Sequence, residues 1–509
     1  MHKKDIPKDI FDNEITSLDI SSLQQLSQKY SKYKINNSNL KKKIKVSISS
    51  DYTTNYLTDI LKLFLINKKI HPDIHEMEFG SLRYDIRDFN RNFWNKSNDF
   101  HIIIPSSENF SYFPKIDDTK NKIMEKANAE ANIWLSVWSK IDKNIIQTLF
   151  NPPLNPLFGN EDSVKFGGYY HFVRLVNSIL IDKLPAHVNL IDIENLIFSN
   201  TGNTWQDSRL FHLAKQPFNM ETIPNLASSI CGRIIGVLGM SKKVLVLDLD
   251  NTLWGGIIGD DGISGIKLDY SSPEGEAYLN FQRYLKQLSL NGIVLCVCSK
   301  NNEEVAKEVF KKHKHTILKL DDFSDFKANY NDKVENIKSI SKNLNLGLDS
   351  FVFVDDSKVE CSIVKKILPE VFVINLDSSE PSAYIKKIEF YNLFYFKNTT
   401  QEDIRRVKSY QNIKKYEDLK STKNNLEKFL KDLQPTISLE RISKLNLTRS
   451  SQLLAKTNQF KFNSKTFSEK ELIKLKKHSI VISFKDKIQN YGIIGVLILN
   501  EFKKNKALE

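Results

Sequence analysis

An apolar stretch, Val244-Leu245-Val246-Leu247, runs straight into Asp248-Leu249-Asp250-Asn251-Thr252-Leu253-Trp254-Gly255-Gly256. Such a run reads as a buried strand that delivers two carboxylates, one residue apart, to its carboxyl end. Strand alternation has a period of two, so Asp248 and Asp250 are expected on one side, facing one ligand. A second pair, Asp355-Asp356, follows the apolar run Phe351-Val352-Phe353-Val354. Carboxylates buried without a partner cost several kcal/mol, so four of them converging predict a cation between them. Hard oxygen ligands suit Mg²⁺. Ser299 ends a third apolar run, and Lys333 opens a helical pattern. A hydroxyl and an ammonium at those places suit the oxygens of a phosphoryl group.

These residues need a scaffold that brings strand ends together. From Lys243 onward the sequence predicts strands at 244–249, 293–299, 316–320, 351–354 and 371–376. They alternate with helices at 273–291, 302–313 and 333–344. Strand-helix units with right-handed crossovers form a parallel sheet covered on both faces, with reactive groups at the carboxyl ends of the strands. The same α/β rhythm marks the N-terminal region: strands at 44–50, 74–79, 100–105, 144–149 and 188–192, helices at 55–66, 117–141 and 169–181. Residues 381–432 read as charged amphipathic helices, and 433–509 as a mixture of one helix (446–457) with strands at 479–484 and 492–499. The resulting division is 1–240, 241–380, a connector at 381–432, and 433–509.

The 509 residues suit about three domains. Hydrophobic residues make up 40% and charged ones 27%, too much apolar material for a disordered chain. No apolar run reaches the roughly 18 residues that span a bilayer, and the charged start Met1-His2-Lys3-Lys4 lacks the apolar core of a signal peptide. A cytoplasmic protein without membrane insertion is expected. Four cysteines, Cys231, Cys296, Cys298 and Cys361, lack zinc-type spacing and are expected as free thiols. The net charge is +13, and residues 401–509 hold 24 basic against 12 acidic residues, which predicts an acidic partner for the C-terminal part or a merely soluble lysine-rich surface.

Taken in order, Asp248-x-Asp250-x-Thr252, Ser299, Lys333 and Asp355-Asp356 resemble the four motifs of the haloacid dehalogenase (HAD) superfamily. The resemblance implies Asp248 as nucleophile on phosphorus and Asp250 as general acid and base. Ser299 and Lys333, with Thr252, would hold phosphate, and Asp248, Asp250, Asp355 and Asp356 would hold Mg²⁺. Longer strings narrow it: Leu247 to Gly256, Val297-Cys298-Ser299-Lys300-Asn301-Asn302, Leu346 to Asp356, Lys456-Thr457-Asn458-Gln459-Phe460, Trp205-x-Asp207 and Leu213 to Phe218 together look like the FkbH-like family. Members of that family dephosphorylate 1,3-bisphosphoglycerate and load the glyceryl group onto the phosphopantetheine thiol of an acyl carrier protein, some through an enzyme cysteine thioester. Cys298 is the candidate for that thioester, with Lys300 favouring the thiolate; the competing reading makes it a small core hydrophobe.

The family resemblance extends to the flanks. The N-terminal region is similar to SGNH hydrolases, yet Ser47-Ile48-Ser49-Ser50-Asp51-Tyr52-Thr53 lacks Gly-Asp-Ser, and Asp207 and His212 are five residues apart instead of three. A degenerate scaffold or carrier platform is expected there. The C-terminal piece resembles the start of a GNAT acyltransferase fold, without a glycine-rich turn for coenzyme A pyrophosphate. Two other functions remain in play. One is a plain HAD phosphatase acting through an aspartyl phosphate on a small phosphorylated substrate. The other is a nucleic-acid-binding protein on a dead HAD fold, with aromatics among basic residues such as Phe460-Lys461-Phe462.

Overall fold

The computed structural model describes residues 15, 19–31, 40, 42–78, 80–86, 97–152, 155–199, 207–216, 218–396, 433–456, 467–487 and 490–499. Trp205, Thr457 to Phe460 and Phe460-Lys461-Phe462 lie outside them. The chain is α/β and divides into two units, Met1–Ile234 and Ile235–Glu509.

The first unit is built on five parallel strands, β1 (Lys42–Ser50), β2 (Ile70–Glu76), β3 (Phe100–Ile104), β4 (Asn144–Thr148) and β5 (Val188–Ile191), in the order β2-β1-β3-β4-β5. One face of the sheet, carrying Ile103, Ile145 and Val188, packs on Ala127, Ala131, Trp134 and Trp138 of the helix Lys120–Lys140 and on Phe172, Val176 and Leu180 of the helix Tyr169–Asp182. β2 lies earlier than the 74–79 expected from sequence because Pro72 hides it. An edge strand tolerates a proline, which has no N–H to give the ladder. The helix Ile223–Val237 follows, its buried Ile223, Leu226, Ala227, Ile230, Cys231 and Ile234 keeping helical spacing.

Within this unit Ser47 Oγ and His101 Nδ1 are 2.8 Å apart, with both residues at most 1% exposed, so no substrate reaches them. Asp51 accepts a hydrogen bond from the backbone N–H of Ser106. Asp207 caps the helix Ser208–Ala214 through the N–H groups of Arg209 and Leu210, while His212 rests edge-on against Phe211. The Asp207 carboxylate is thus engaged in capping and holds no histidine.

Burial pushes the His101 imidazole down to about 4. The unfolded chain, near 6.5, takes up a proton first as pH falls, so His101 contributes stability above pH 6.5 and loses it between there and about pH 4. The linkage amounts to on the order of 3 kcal/mol. Urea unfolding at pH 7.5 and 4.5 should show a loss in the wild type that is largely missing in His101→Gln.

The second unit contains another parallel sheet: β6 (Val244–Leu247), β7 (Val294–Ser299), β8 (Phe323–Ala328), β9 (Phe351–Asp355) and β10 (Phe372–Asn375), ordered β10-β9-β6-β7-β8. Alternation sorts its side chains cleanly. Leu245, Leu247, Leu295, Val297, Val352 and Val354 enter the layer with Tyr278, Leu279, Phe281 and Leu285 of the helix Pro273–Leu290. Val244, Val246, Val294, Cys296, Cys298, Phe351 and Phe353 enter the opposite layer with Val334, Ile337 and Ile340 of the helix Lys333–Leu344 and with Val364 of the helix Lys358–Ile367.

The strand expected at 316–320 does not form. The side-chain Oε1 of buried Gln282 accepts from the backbone N–H groups of Ile317 and Leu318, so these donors are unavailable to a ladder. The edge strand is β8 instead, whose Ser-Asp-Phe-Lys sequence carries no apolar run. Residues from 381 on, read as the start of a connector, also belong to this core: Tyr384, Ile388 and Leu393 are buried in the Leu245 layer.

A three-stranded antiparallel sheet, β11 (Thr436–Glu440), β12 (Ser479–Lys485) and β13 (Asn490–Ile498), occupies the C-terminal part of this unit. Val481, Ile493, Val496 and Ile498 pack with Leu447, Leu454 and Leu472 of the helices Leu447–Lys456 and Glu469–Lys474. On β11, Ile437 and Leu439 remain 64% and 65% exposed.

Candidate active site

Every element of the candidate site leaves the same end of the β10-β9-β6-β7-β8 sheet. β6 stops at Leu247, so Asp248 is the first residue beyond it. Its backbone N–H still bonds the Val354 carbonyl of β9, which fixes it beside that strand. β9 ends in Asp355, with Asp356 next. One carboxylate oxygen from each of Asp248, Asp355 and Asp356 lies within 4.8 Å of the others. The Asp332 carboxylate caps the helix Lys333–Leu344 and thereby presents Lys333 at its first position. Lys333 Nζ then bridges Asp248 Oδ1 at 2.9 Å and Asp355 Oδ2 at 2.6 Å.

The electrostatics of this group are unbalanced. Burial, followed by the Asp248 charge, pushes Asp355 up to about 7 against the pull of Lys333. Burial and Asp248 likewise raise Asp356 to about 6. For Lys333, burial works toward the neutral amine, but Asp248 and Asp355 overrule it and hold the ammonium above its ordinary range. Three carboxylates against one ammonium, with their oxygens mutually close, form a donor set that fits a hard divalent cation.

Asp250 is not part of that set, contrary to the period-two expectation. The alternation stops with β6, and Asn251 adopts a left-handed conformation with φ of 53°, which turns the chain. Asp250 Oδ1 accepts from Trp254 Nε1 at 2.9 Å and from the Ile258 N–H at 3.0 Å, and Oδ2 accepts from Asn301 Nδ2 at 2.9 Å. Burial raises its pKa, and these donors, with the Ile258 N–H foremost, work against the rise. The turn itself is braced by Tyr384, whose hydroxyl donates to the Asn251 carbonyl at 2.7 Å.

Ser299 ends β7 and its Oγ accepts from Asn301 Nδ2 at 3.1 Å. Thr252 is fully buried and its Oγ1 has no hydrogen-bond partner among the described residues. Cys298 is buried one residue before the end of β7. Alternation on β7 puts it with Val294 and Cys296 in the apolar layer under the helix Lys333–Leu344, 0% exposed. Burial pushes its thiol far above the ordinary range, whereas a thiolate nucleophile needs the reverse. Lys300, expected to favour the thiolate, instead pairs with Glu360 at 2.5 Å. All four cysteines are free and buried.

Asn301 and Trp254 are the site residues that motif reading passed over. Both stand inside the strings quoted for the family, but neither is titratable or a metal ligand by type, so only their bonds to Asp250 reveal them.

Carboxylates and one lysine gathered at a single end of a doubly covered parallel sheet resemble the site that the HAD motifs imply. Comparison with known proteins finds the following similarities. Residues 45–235 match the family described as FkbH, N-terminal domain. The solved N-terminal part of the protein BF1531 from Bacteroides fragilis, described as containing a phosphatase domain complexed with Mg, matches at 26% identity with a TM-score of 0.67, covering 75% of this chain and 99% of its own. A HAD family enzyme, bt-2542 from Bacteroides thetaiotaomicron, in complex with magnesium and inorganic phosphate, matches at 16% identity with a TM-score of 0.20 over 27% of this chain and 96% of its own. No curated protein sequence matches the chain. Residues 45–235 of the chain thus correspond to the FkbH N-terminal domain. Among its described residues no helix is long and apolar enough to cross a membrane.

Proposed function

We propose that this protein is a Mg²⁺-dependent phosphoryl-transfer enzyme that removes phosphate from a small phosphorylated substrate through an aspartyl phosphate on Asp248. The observation that carries this reading is the meeting of Asp248, Asp355 and Asp356 oxygens within 4.8 Å, with Lys333 bridging two of them. Asp248, Asp355 and Asp356 would hold the cation, which supplies positive charge opposite the phosphoryl oxygens. The magnesium in the Bacteroides fragilis structure supports that assignment.

In the first step an Asp248 oxygen bonds phosphorus and the bond to the leaving oxygen breaks. That oxygen keeps the electron pair and takes a proton from Asp250. In the second, water bonds phosphorus, returns its proton to Asp250, and Asp248 departs as carboxylate. Lys333 and the Ser299 hydroxyl hold phosphoryl oxygens during transfer, while Thr252, fully buried, supports the turn behind them.

The finer reading takes 1,3-bisphosphoglycerate as the substrate and an acyl carrier protein as the acceptor. With Cys298 in the core, the carrier's own phosphopantetheine thiol would attack the acyl phosphate carbonyl. The new sulfur–carbon bond replaces the carbon–oxygen bond to phosphate, which leaves with the electron pair, and the thiol proton passes to solvent. Asp248 would remove the remaining phosphate ester. The excess of lysine and arginine in residues 401–509 supports an acidic carrier.

Incubation with 1,3-bisphosphoglycerate, Mg²⁺ and a pantetheinylated carrier tests both levels. The proposal expects phosphate release and a carrier heavier by one glyceryl group, both retained in Cys298→Ala. Phosphate release with an unmodified carrier would leave the simpler phosphatase. Steep salt-dependent binding to RNA or DNA without phosphate release would overturn both.

A further inference from the structure

We infer that Asn301 and Trp254 are positioning residues that hold the Asp250 carboxylate out of the cation's ligand set and aim it at the leaving group, with Asn301 also orienting the Ser299 hydroxyl. The inference rests on the proposed role of Asp250 as general acid and base.

Asn301 is 6% exposed and Trp254 fully buried, so neither has the freedom of a surface side chain. Asp250 is held through both oxygens: Trp254 Nε1 and the Ile258 N–H converge on Oδ1, and Asn301 Nδ2 takes Oδ2. Three donors, two from the stretch after β6 and one from the loop after β7, fix the plane of the carboxylate as well as its position. A fourth carboxylate drawn into the Asp248, Asp355 and Asp356 group would add negative charge to a site already short of positive charge. The clamp prevents this.

Asn301 does a second thing with the same nitrogen. An amide NH₂ has two hydrogens. One reaches Asp250 and the other reaches Ser299 Oγ at 3.1 Å. Because Ser299 Oγ accepts there, its own O–H is left to donate, the polarity that a phosphoryl oxygen requires. The register pairs Leu247 with Val297, so Ser299 stands two residues further along, level with the turn that follows Asp248. One buried amide therefore links the group that protonates the leaving oxygen with the group that holds the phosphoryl oxygen.

A general acid matters most when the leaving oxygen is a poor one. The test is the kcat for an alkyl phosphate, a poor leaving group, beside that for p-nitrophenyl phosphate, a good one, in wild type, Asn301→Ala, Trp254→Phe and Asp250→Asn. Trp254→Phe removes the indole N–H while keeping an aromatic ring, and it serves if Asn301→Ala does not fold. The expected result is a loss on the alkyl ester about 10- to 100-fold greater than on the aryl ester in both clamp variants, in the same direction as Asp250→Asn. Equal losses on the two esters, or none, would overturn the inference, since a purely structural residue has no reason to discriminate leaving groups. If Asp250→Asn discriminates and the clamp variants do not, only the clamp fails. If Asp250→Asn does not discriminate, or the wild type hydrolyses neither ester, the reading of Asp250 fails and the clamp with it.

Discussion

Asp248→Asn should lower Mg²⁺-dependent phosphate release by about 10³-fold or more, because the group that would bond phosphorus is replaced by an amide. The same change should leave the fold at least as stable. Asp248 sits 6% exposed in a cluster where three carboxylates face one ammonium, and after burial its charge is what raises the pKa values of Asp355 and Asp356. Removing that charge relieves repulsion while an amide oxygen remains to accept from Lys333. Activity and stability are therefore expected to move in opposite directions, as is common where a site stores unfavourable charge. Phosphate release and thermal unfolding on the same preparations check this. A variant that is inactive only because it is unfolded would contradict the assignment.

Lys333→Met should cost about 3–5 kcal/mol in the absence of divalent cation, the size expected when one member of a buried ionic group is removed and its partners remain. Lys333 is 3% exposed, and its ammonium is the bridge between Asp248 and Asp355. Methionine fills a similar volume, so lost charge rather than lost packing dominates. Mg²⁺ ligated by the same carboxylates replaces part of the missing positive charge. Saturating Mg²⁺ should then stabilise the variant against urea by more than it stabilises the wild type. A variant as stable as wild type without cation, or a smaller Mg²⁺ effect in the variant, would show that Lys333 is not the counter-charge of this cluster.

The strands that carry the acids were legible from sequence because parallel strands covered on both faces read as unbroken apolar runs, and β6, β7 and β9 are such runs with a polar residue at the end. Lys333 was legible as the opening of a helical pattern, and the structure adds the Asp332 cap that fixes that start. What failed did so for local reasons. Asp250 was expected beside Asp248 by strand alternation, but β6 ends a residue before the first acid and Asn251 turns the backbone. Cys298 looked like an end-of-strand nucleophile, whereas one more step of alternation on β7 sends it into the apolar layer. β8 was misplaced because a side chain in a distant helix, Gln282, takes up backbone donors that the sequence offers to a strand. Tertiary hydrogen bonds of this kind, like the clamp on Asp250, leave no periodic trace in the chain.

The most direct measurement is to stop the reaction with acid during turnover of a phosphate ester and map the phosphoryl group by peptide mass spectrometry. The account predicts it on Asp248, within the peptide that spans β6, and absent in Asp248→Asn. Phosphate release that continues with the phosphoryl group on another residue, or undiminished in Asp248→Asn, would contradict it.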